Sequence, residues 1–295
     1  MIEVQGIQIG FQEYIQRRKT SGSPDQGDGY AFSGDLKVLR TMRKLKPVEL
    51  AVAATVRLFN SIVRNQLLGS AVLVTEKQFP KLWKLSQRCA RTLGVPDQQV
   101  YVVQALGSIN AMTMGTDEES VVIIHSATVD HLTEDELLFV IGHEFGHIQN
   151  NHAVYRTALW LLMNWVNAFV QWIVTPAIIA LNHWSRRAEI TADRAGLLCC
   201  QDLDAAQRAM TKIALGSKEL YEQLDLEEYL KQLEQSQDSY GRIAEVLQSH
   251  PYVPKRIEAL RLFNDSAYYR RQLGLEGGAD KATLDDAVAA IVKVL

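Results

Sequence analysis

Residues 134–149 have the sequence Glu-Asp-Glu-Leu-Leu-Phe-Val-Ile-Gly-His-Glu-Phe-Gly-His-Ile-Gln, which indicates a mostly apolar core helix with two histidines and a glutamate in its second half. Thr133 before it is a typical N-cap, and the acidic first turn suits the positive end of a helix. His143 and His147 are four residues apart, so their imidazoles share one helix face. Neutral imidazole is a good ligand for Zn²⁺. The stretch therefore predicts a metal-binding helix.

Glu144 is offset by one residue, so it lies beside the metal position rather than facing it. A carboxylate there can accept a proton from an activated water molecule. Together these residues form the HExxH arrangement of metalloproteases. The same pattern also occurs by chance on exposed helices. Here the rest of the helix is apolar, so its polar residues would be buried and need partners, which favours a metal site.

The composition is that of an ordinary globular protein: 295 residues, 47% hydrophobic and 22% charged, with a net charge of -3. This length supports one large domain, or one domain with appendages. The slightly negative charge gives no reason to expect a nucleic-acid partner. Cys89, Cys199 and Cys200 suggest neither a disulfide framework nor a cysteine-based zinc site, so we expect a reducing compartment. The polar start of the chain predicts no signal peptide.

The chain divides into four segments by composition. Residues 1–35 are polar and are expected to form a flexible N-terminal segment. Residues 36–72 have helical periodicity with a break near Pro47. Residues 73–263 form the central domain, and a C-terminal helical appendage follows at 264–295.

Two short apolar runs, at 100–103 and 121–124, predict buried β-strands. Between them, residues 110–115 alternate in character and end in glycine, which is typical of an edge strand. An edge strand has unpaired N–H and C=O groups that can hold an extended peptide as an additional strand. A simple hairpin arm is the alternative. Four residues are expected to bind substrate in this way: Asn110, Ala111, Met112 and Thr113.

A helix is also predicted over 182–197, and it carries Glu189 and Asp193 one turn apart on one face. A catalytic zinc site with two histidines needs one more protein ligand and an open position for water. Glu189 is the best-placed candidate for that ligand. The metal helix is expected to run to about His152, which would then lie about half a turn around the helix from His143, so we expect it at the surface or as a cap.

Residues 158–181 contain no charged side chain and are long enough to span a bilayer. One crossing, however, would put Glu189 and the histidines on opposite sides of the membrane. Polar residues on one helical stripe favour instead a helix, bent at Pro176, that lies on a membrane, in an oligomer interface or in a core groove. True insertion is the remaining alternative.

Several motifs in this chain resemble the HtpX-type and CAAX-prenyl-protease-type zinc metallopeptidases, peptidase family M48 among the gluzincins. The resemblance covers about residues 73–262 and rests on four pieces in one order, which is more specific than HExxH alone. These pieces are Asn-Ala-x-x-x-Gly at 110–115, Leu-Thr-Glu-Asp-Glu-Leu at 132–137 leading into HExxH, Glu-x-x-x-Asp at 189–193, and Ser249-His250-Pro251 followed by Arg256-Ile257.

The resemblance implies that His143, His147 and Glu189 are zinc ligands, with one zinc ion per chain. It implies that Glu144 is the general base of the reaction. Asp193 would accept a hydrogen bond from a ligand histidine and orient it, with a salt bridge at the helix surface as the alternative.

His250 matches the family's His-Pro loop near the active site. It would donate to the oxyanion or approach the metal in a closed resting state, and a loop-capping role is the alternative. The chain also departs from the family pattern. HtpX-type members have membrane helices, whereas this chain has only the ambiguous segment 158–181. The longer prenyl-protease architecture is absent, so prenylated substrates are not implied.

These observations predict an α+β, mostly helical fold: a zincin-like metallopeptidase domain with a small sheet packed beside the HExxH helix. The expected function is that of a zinc-dependent metalloendopeptidase acting on protein or peptide substrates. The alternative is a latent or non-proteolytic zinc-binding protein that acts through a Trp-rich surface. We expect a cytoplasmic location, with peripheral membrane contact or homo-oligomer formation through 158–181.

Overall fold

The computed structural model describes residues 29–58, 65, 69–105, 108–116, 119–164, 168–235 and 250–293. Its helices are, in chain order, α1 (Ser33–Met42), α2 (Lys46–Leu58), α3 (Pro80–Leu93), α4 (Ser126–His131), α5 (Glu134–Gln149), α6 (Ala153–Asn164), α7 (Ala168–Cys200), α8 (Leu203–Leu215), α9 (Lys218–Glu222), α10 (Leu226–Gln235), α11 (Val253–Asn264), α12 (Ala267–Gln272) and α13 (Lys281–Val292). Part of the helical segment predicted over 36–72, at residues 59–64 and 66–68, lies outside the described residues.

The described strands form one mixed sheet of four strands in the order β1-β2-β4-β3. They are β1 (Val72–Leu73), β2 (Gln99–Val103), β3 (Ala111–Gly115) and β4 (Ser120–His125). β2 and β4 are parallel, and the other pairs are antiparallel. The predicted mostly helical α+β fold with a small sheet is therefore confirmed. β1 was not predicted, because two residues carry no periodicity signal.

The metal helix α5 begins as the sequence predicts. Thr133 and Glu136 form a capping box, in which the Thr133 N–H donates to Glu136 Oε2 at 2.9 Å. Lys212 Nζ on α8 also donates to this fully buried carboxylate, at 2.8 Å. The helix ends at Gln149 rather than near residue 152, because Asn151 has a φ of 57° and turns the chain back.

Two hydrophobic clusters surround the metal helix. The larger one lies between the sheet and α5, where Val122 and Ile124 of β4 pack with Ile141 and Phe145 of α5. The second joins α1, α2, α6 and α7, with Trp184 among its buried residues. Because α7 contributes to both clusters, it holds the two parts of the molecule together around α5.

The apolar segment 158–181 is shared between two helices, so the expectation of one bent helix is wrong. α6 (Ala153–Asn164) and α7 (Ala168–Cys200, which continues through Pro176) pack side by side, with the ring centroids of Tyr155 and Trp184 5.4 Å apart. The helix predicted over 182–197 is therefore the second half of α7. Of the helices that the structure describes, none is both long and apolar enough to cross a membrane.

The described part of the N-terminal segment packs against α7. Tyr30 and Phe32 are buried, and the Tyr30 carbonyl accepts a hydrogen bond from Arg194 of α7 at 2.9 Å. Arg194 also donates to Asp285 of α13, at 2.9 Å. The two ends of the described chain thus meet on α7. The division into domains at residues 73 and 263 stays a prediction.

Candidate metal centre

Three side chains from two helices bring their ligand atoms together. His143 and His147 come from α5, and Glu189 comes from α7. The two histidine Nε2 atoms are 3.2 Å apart. The Glu189 carboxylate oxygens lie 3.4 Å from Nε2 of His143 and 3.4 Å from Nε2 of His147. All three side chains are buried.

The spacing of these atoms fits a zinc ion. Nitrogen and oxygen ligands bind zinc at about 2.0–2.1 Å, so two corners of a zinc tetrahedron are about 3.3 Å apart. The two imidazole nitrogens are 3.2 Å apart and each lies 3.4 Å from a different Glu189 oxygen, and with one ligand atom from each residue the three atoms lie within 4.8 Å of one another. Two neutral nitrogens and one carboxylate also form a donor set that zinc accepts, with further positions left for water and substrate. The residues present therefore fit a catalytic zinc ion.

Glycine and alanine residues allow Glu189 to reach the histidines. Gly146 of α5 lies against Ala195 of α7, so closely that a Cβ on Gly146 would be 2.5 Å from the Ala195 Cβ. Gly142 contacts Cys199 in the same way, one turn earlier on α5. This close crossing of α5 and α7 brings the two halves of the metal centre together.

Asp193 holds the ring of His143. Its Oδ1 is 2.9 Å from Nδ1 of His143, so Nε2 is directed at Glu189. Arg256 of α11 donates to both Asp193 oxygens, at 2.6 and 2.9 Å. Burial lowers the pKa of His143, but its hydrogen bonds to Asp193 and Glu189 outweigh burial and raise it to about 9.

His147 contacts His152, which was expected at the surface or as a cap. His152 is fully buried, and its Nδ1 lies 3.0 Å from Nδ1 of His147. The expectation of a surface position is therefore wrong. It assumed that α5 continues to residue 152, whereas the turn at Asn151 folds His152 back under His147. The alternative of a capping residue agrees with the backbone, because the main-chain N–H of His152 donates to the His147 carbonyl at 2.8 Å.

Glu144 is oriented by a threonine from the sheet. Thr113 of β3 is buried, and its hydroxyl lies 2.7 Å from Glu144 Oε2 and 2.9 Å from the Glu144 carbonyl. Met112 and Met114 pack on the opposite face of β3 from Thr113. The sequence predicted an edge strand here. It did not indicate that the Thr113 face meets α5.

Arg156 and His250 border the triad. Arg156 of α6 was not predicted; its Nη1 lies 2.9 Å from His147 Nε2 and also contacts Glu189. Half-exposed His250 has its Nε2 3.5 Å from Glu189. Burial raises the pKa of the Glu189 carboxyl group, but the positive charges of His250, Arg156 and Arg256 hold it well below its usual value.

The triad opens into two adjoining cavities, of about 340 and 270 Å³, that share Asn110, Ala111, Arg156 and His250. The larger cavity contains His143, Glu144 and Glu189. The smaller one has a largely apolar wall. That wall includes Met112, Leu159, Trp160 and Met163.

The register of β3 determines which backbone groups face the cavities. The His125 N–H donates to the Asn110 carbonyl at 3.0 Å, and hydrogen-bonded pairs alternate along an antiparallel ladder. Asn110 and Met112 therefore direct their backbone groups away from the cavities, with the Asn110 N–H donating to Thr128 of α4 at 2.7 Å. Ala111 and Thr113 direct theirs to the open edge. The Ala111 N–H already donates to Asn110 Oδ1, at 2.9 Å.

Comparison with known proteins identifies relatives of this chain. The family model described as Peptidase family M48 matches residues 76–263. Plastoglobule-localized metallopeptidase 48, chloroplastic, from Arabidopsis thaliana is 32% identical over 169 residues, which cover 56% of this chain and 49% of that protein. The chain thus spans about half the length of the plant relative.

A bacterial relative and one solved structure add to this comparison. Protease HtpX from Haemophilus ducreyi is 25% identical over 227 residues, which cover 66% of this chain and 76% of that protein. The crystal structure of S. mikatae Ste24p aligns with a TM-score of 0.45 and 17% identity, over 86% of this chain and 66% of that chain.

The family match covers more than half of the chain and contains all three residues of the metal centre. The chain therefore belongs to peptidase family M48.

Proposed function

We propose that this chain is a zinc-dependent metalloendopeptidase with one zinc ion per chain. The observation that carries the proposal is the buried triad of His143, His147 and Glu189, with Glu144 beside it and a cleft in front of it. A bound zinc ion supplies Lewis-acid activation of water and of the substrate carbonyl. The protein supplies the proton transfers and holds the substrate.

Glu144 is the proposed general base. It accepts the proton of the attacking water and passes it to the leaving amine. The Thr113 hydroxyl at 2.7 Å supports this role, because it fixes one carboxylate oxygen and leaves the other free to accept. Asp193 is proposed to orient His143, which the 2.9 Å contact supports.

The open edge of β3 is the proposed substrate strand. An extended peptide would pair with the outward-facing carbonyl of Ala111 and with the N–H and carbonyl of Thr113. The sequence predicted that all four residues 110–113 bind substrate as an edge strand. With this register, Asn110 and Met112 would contribute side chains to the cleft rather than backbone hydrogen bonds. His250 is proposed to donate to the oxyanion, supported by its place where the two cavities meet.

The smaller cavity supports a proposal about substrate preference. Leu159, Trp160 and Met163 of α6 form an apolar wall directly beside β3. A substrate that pairs with β3 would place alternate side chains toward that wall. We therefore propose that cleavage requires a large apolar side chain at the position that enters this cavity.

We propose that segment 158–181 makes either peripheral membrane contact or a homo-oligomer interface. Met163 and Ile179 support a contact surface, because each exposes about half of its area. Liposome flotation tests the first use, and light scattering tests the second. The cytoplasmic location also stays a proposal; the buried free thiols of Cys89, Cys199 and Cys200 support a reducing compartment.

The decisive experiment compares wild type with Glu144→Gln, measuring bound zinc and cleavage of an unfolded casein-type substrate. Glu134→Gln on the same helix is the matched control, because Glu134 is exposed in the first turn of α5, more than two turns before His143. We expect about one zinc per chain in all three proteins, and a loss of cleavage of about 10²–10⁴-fold in Glu144→Gln alone.

Retained cleavage in Glu144→Gln would remove Glu144 from the mechanism. A zinc-loaded wild type that cleaves no unfolded substrate, but binds liposomes or a partner protein, would favour the non-proteolytic alternative.

A further inference from the structure

The side of His147 that faces away from Glu189 contacts a chain of buried polar groups. His147 Nδ1 is 3.0 Å from Nδ1 of His152, and His152 Nε2 is 3.0 Å from Oδ2 of Asp35. Asp35 accepts hydrogen bonds from Trp184 Nε1 and Thr191 Oγ1, each at 2.8 Å. All these side chains are fully buried, so they do not exchange these partners for water.

The chemistry of these groups fixes the direction of proton donation. Nε2 of His147 faces Glu189 and must lack a proton to bind a metal, so Nδ1 carries the proton and faces His152. His152 accepts on Nδ1 and therefore carries its own proton on Nε2, which lies 3.0 Å from Asp35 Oδ2 in an ion-pair contact rather than an aligned hydrogen bond. A carboxylate has only acceptors and can receive several donors at once. The negative charge of Asp35 therefore lies beside the ring nitrogen that carries the proton, although His152 Nε2 forms no aligned hydrogen bond within the described residues.

We propose that Asp35 and His152 are positioning residues for the metal centre. Through His147 they fix the ring orientation and the tautomer that a zinc ligand requires. His143 is held by a carboxylate directly, at 2.9 Å from Asp193, whereas His147 is held by a carboxylate through one intervening imidazole. The inference rests on the metal centre and is independent of the peptide-bond cleavage proposed above.

Asp35 comes from a part of the chain that lies outside the family domain. Asp35 lies on α1, outside the residues 76–263 that the family model matches. A segment that precedes the family domain therefore completes the metal centre. Zinc affinity should depend on α1, although α1 contributes no zinc ligand.

A purely structural role is the competing explanation, because Asp35 also joins α1 to α7. Asp285 offers the matched control. It is a second buried aspartate at the same junction, where it accepts from Arg194 at 2.9 Å and from the Ser33 N–H at 3.1 Å, without contact to His152. Asp35→Asn and Asp285→Asn each remove one buried charge from this junction, but only the first changes the groups behind His147.

The test measures zinc dissociation constants by competition with a chromophoric chelator, together with the thermal stability of the zinc-free protein. We expect His152→Leu and Asp35→Asn to weaken zinc binding by about 10- to 100-fold, the usual effect of losing a partner of a metal ligand. His152→Gln should stay within about threefold of wild type, because its amide can accept from His147 and donate to Asp35. Asp285→Asn should lower stability and leave zinc affinity unchanged.

Two results would overturn the proposal. One is wild-type zinc affinity in both Asp35→Asn and His152→Leu. The other is an equal loss of zinc affinity in Asp35→Asn and Asp285→Asn, which would mean that the junction acts only through stability. If His152→Leu does not fold, the zinc dissociation constants of Asp35→Asn and Asp285→Asn, which are both nearly isosteric with wild type, decide between the two explanations. Substrate is absent from these measurements, so a failure of the proposed peptidase activity would not affect their outcome.

Discussion

A methyl group added at Gly146 is expected to separate α5 from α7 where the metal centre is built. The new Cβ would lie 2.5 Å from the Ala195 Cβ and 3.3 Å from the Ala192 Cα. Carbon atoms in contact are about 3.5–4.0 Å apart, so the overlap with Ala195 is about 1 Å. Neither neighbour is the end of a flexible side chain. The two helix backbones must therefore move apart.

The expected effect on stability is smaller than the effect on zinc binding. Overpacking of this kind costs about 1–3 kcal/mol. Replacing glycine by alanine inside a helix returns about 1 kcal/mol, so the net loss in the free energy of unfolding is about 0–2 kcal/mol. Glu189 moves with α7, whereas His143 and His147 move with α5. A separation of about 1 Å should therefore weaken zinc binding at least about tenfold.

Urea unfolding of the zinc-free protein and chelator competition measure the two effects. The double variant Gly146→Ala/Ala195→Gly removes the clashing atom from α7 and should recover most of the zinc affinity. Gly69→Ala is the control for the substitution itself, because nothing lies within 4 Å of the added Cβ. Unchanged zinc affinity in Gly146→Ala, or a double variant no better than the single one, would refute the helix-crossing argument.

Four further predictions follow from buried contacts and from metal binding. Arg256→Met removes the partner of buried Asp193 and should lower the unfolding free energy by about 3–5 kcal/mol in urea titrations; a loss below about 1 kcal/mol would contradict this. Lys212→Met should be similarly destabilising through Glu136, and adding Glu136→Gln should recover part of the loss in a double-mutant cycle. Trp160→Ala should lower kcat/KM about tenfold or more for peptides with a large apolar side chain at the matching position, while peptides with a small one should change little. Removing zinc with a chelator should lower the melting temperature. Zinc at a free concentration of a hundred times its Kd would stabilise the folded state by about 2.7 kcal/mol. An unchanged melting curve would argue against a zinc site that forms only on folding.

The parts of the fold that depend on local sequence were predictable. The capping box at Thr133, the apolar runs of β2 and β4, and the one-turn spacing of Glu189 and Asp193 are each encoded within a few neighbouring residues. A motif of this kind also predicts which atoms meet, because two histidines four residues apart on a helix can only share one face. These signals identified the three residues of the metal centre.

The groups behind the ligands were not predictable, because they come from distant parts of the chain. Asp35 reaches His152 only because α1 packs on α7, and Thr113 reaches Glu144 only because one face of β3 packs on α5. His152 was misplaced for a local reason: a single residue with positive φ, Asn151, ended the helix earlier than periodicity indicated. The backbone conformation of Asn151 thus determines whether His152 lies at the surface or contacts His147.

Diffraction data collected on both sides of the zinc absorption edge, from crystals of the zinc-loaded protein, would test the central claim most directly. The account predicts one strong anomalous peak in the described region, about 2.0–2.2 Å from Nε2 of His143, Nε2 of His147 and a carboxylate oxygen of Glu189. No peak between these three side chains, or a peak bound instead by His152 and Asp35, would contradict it.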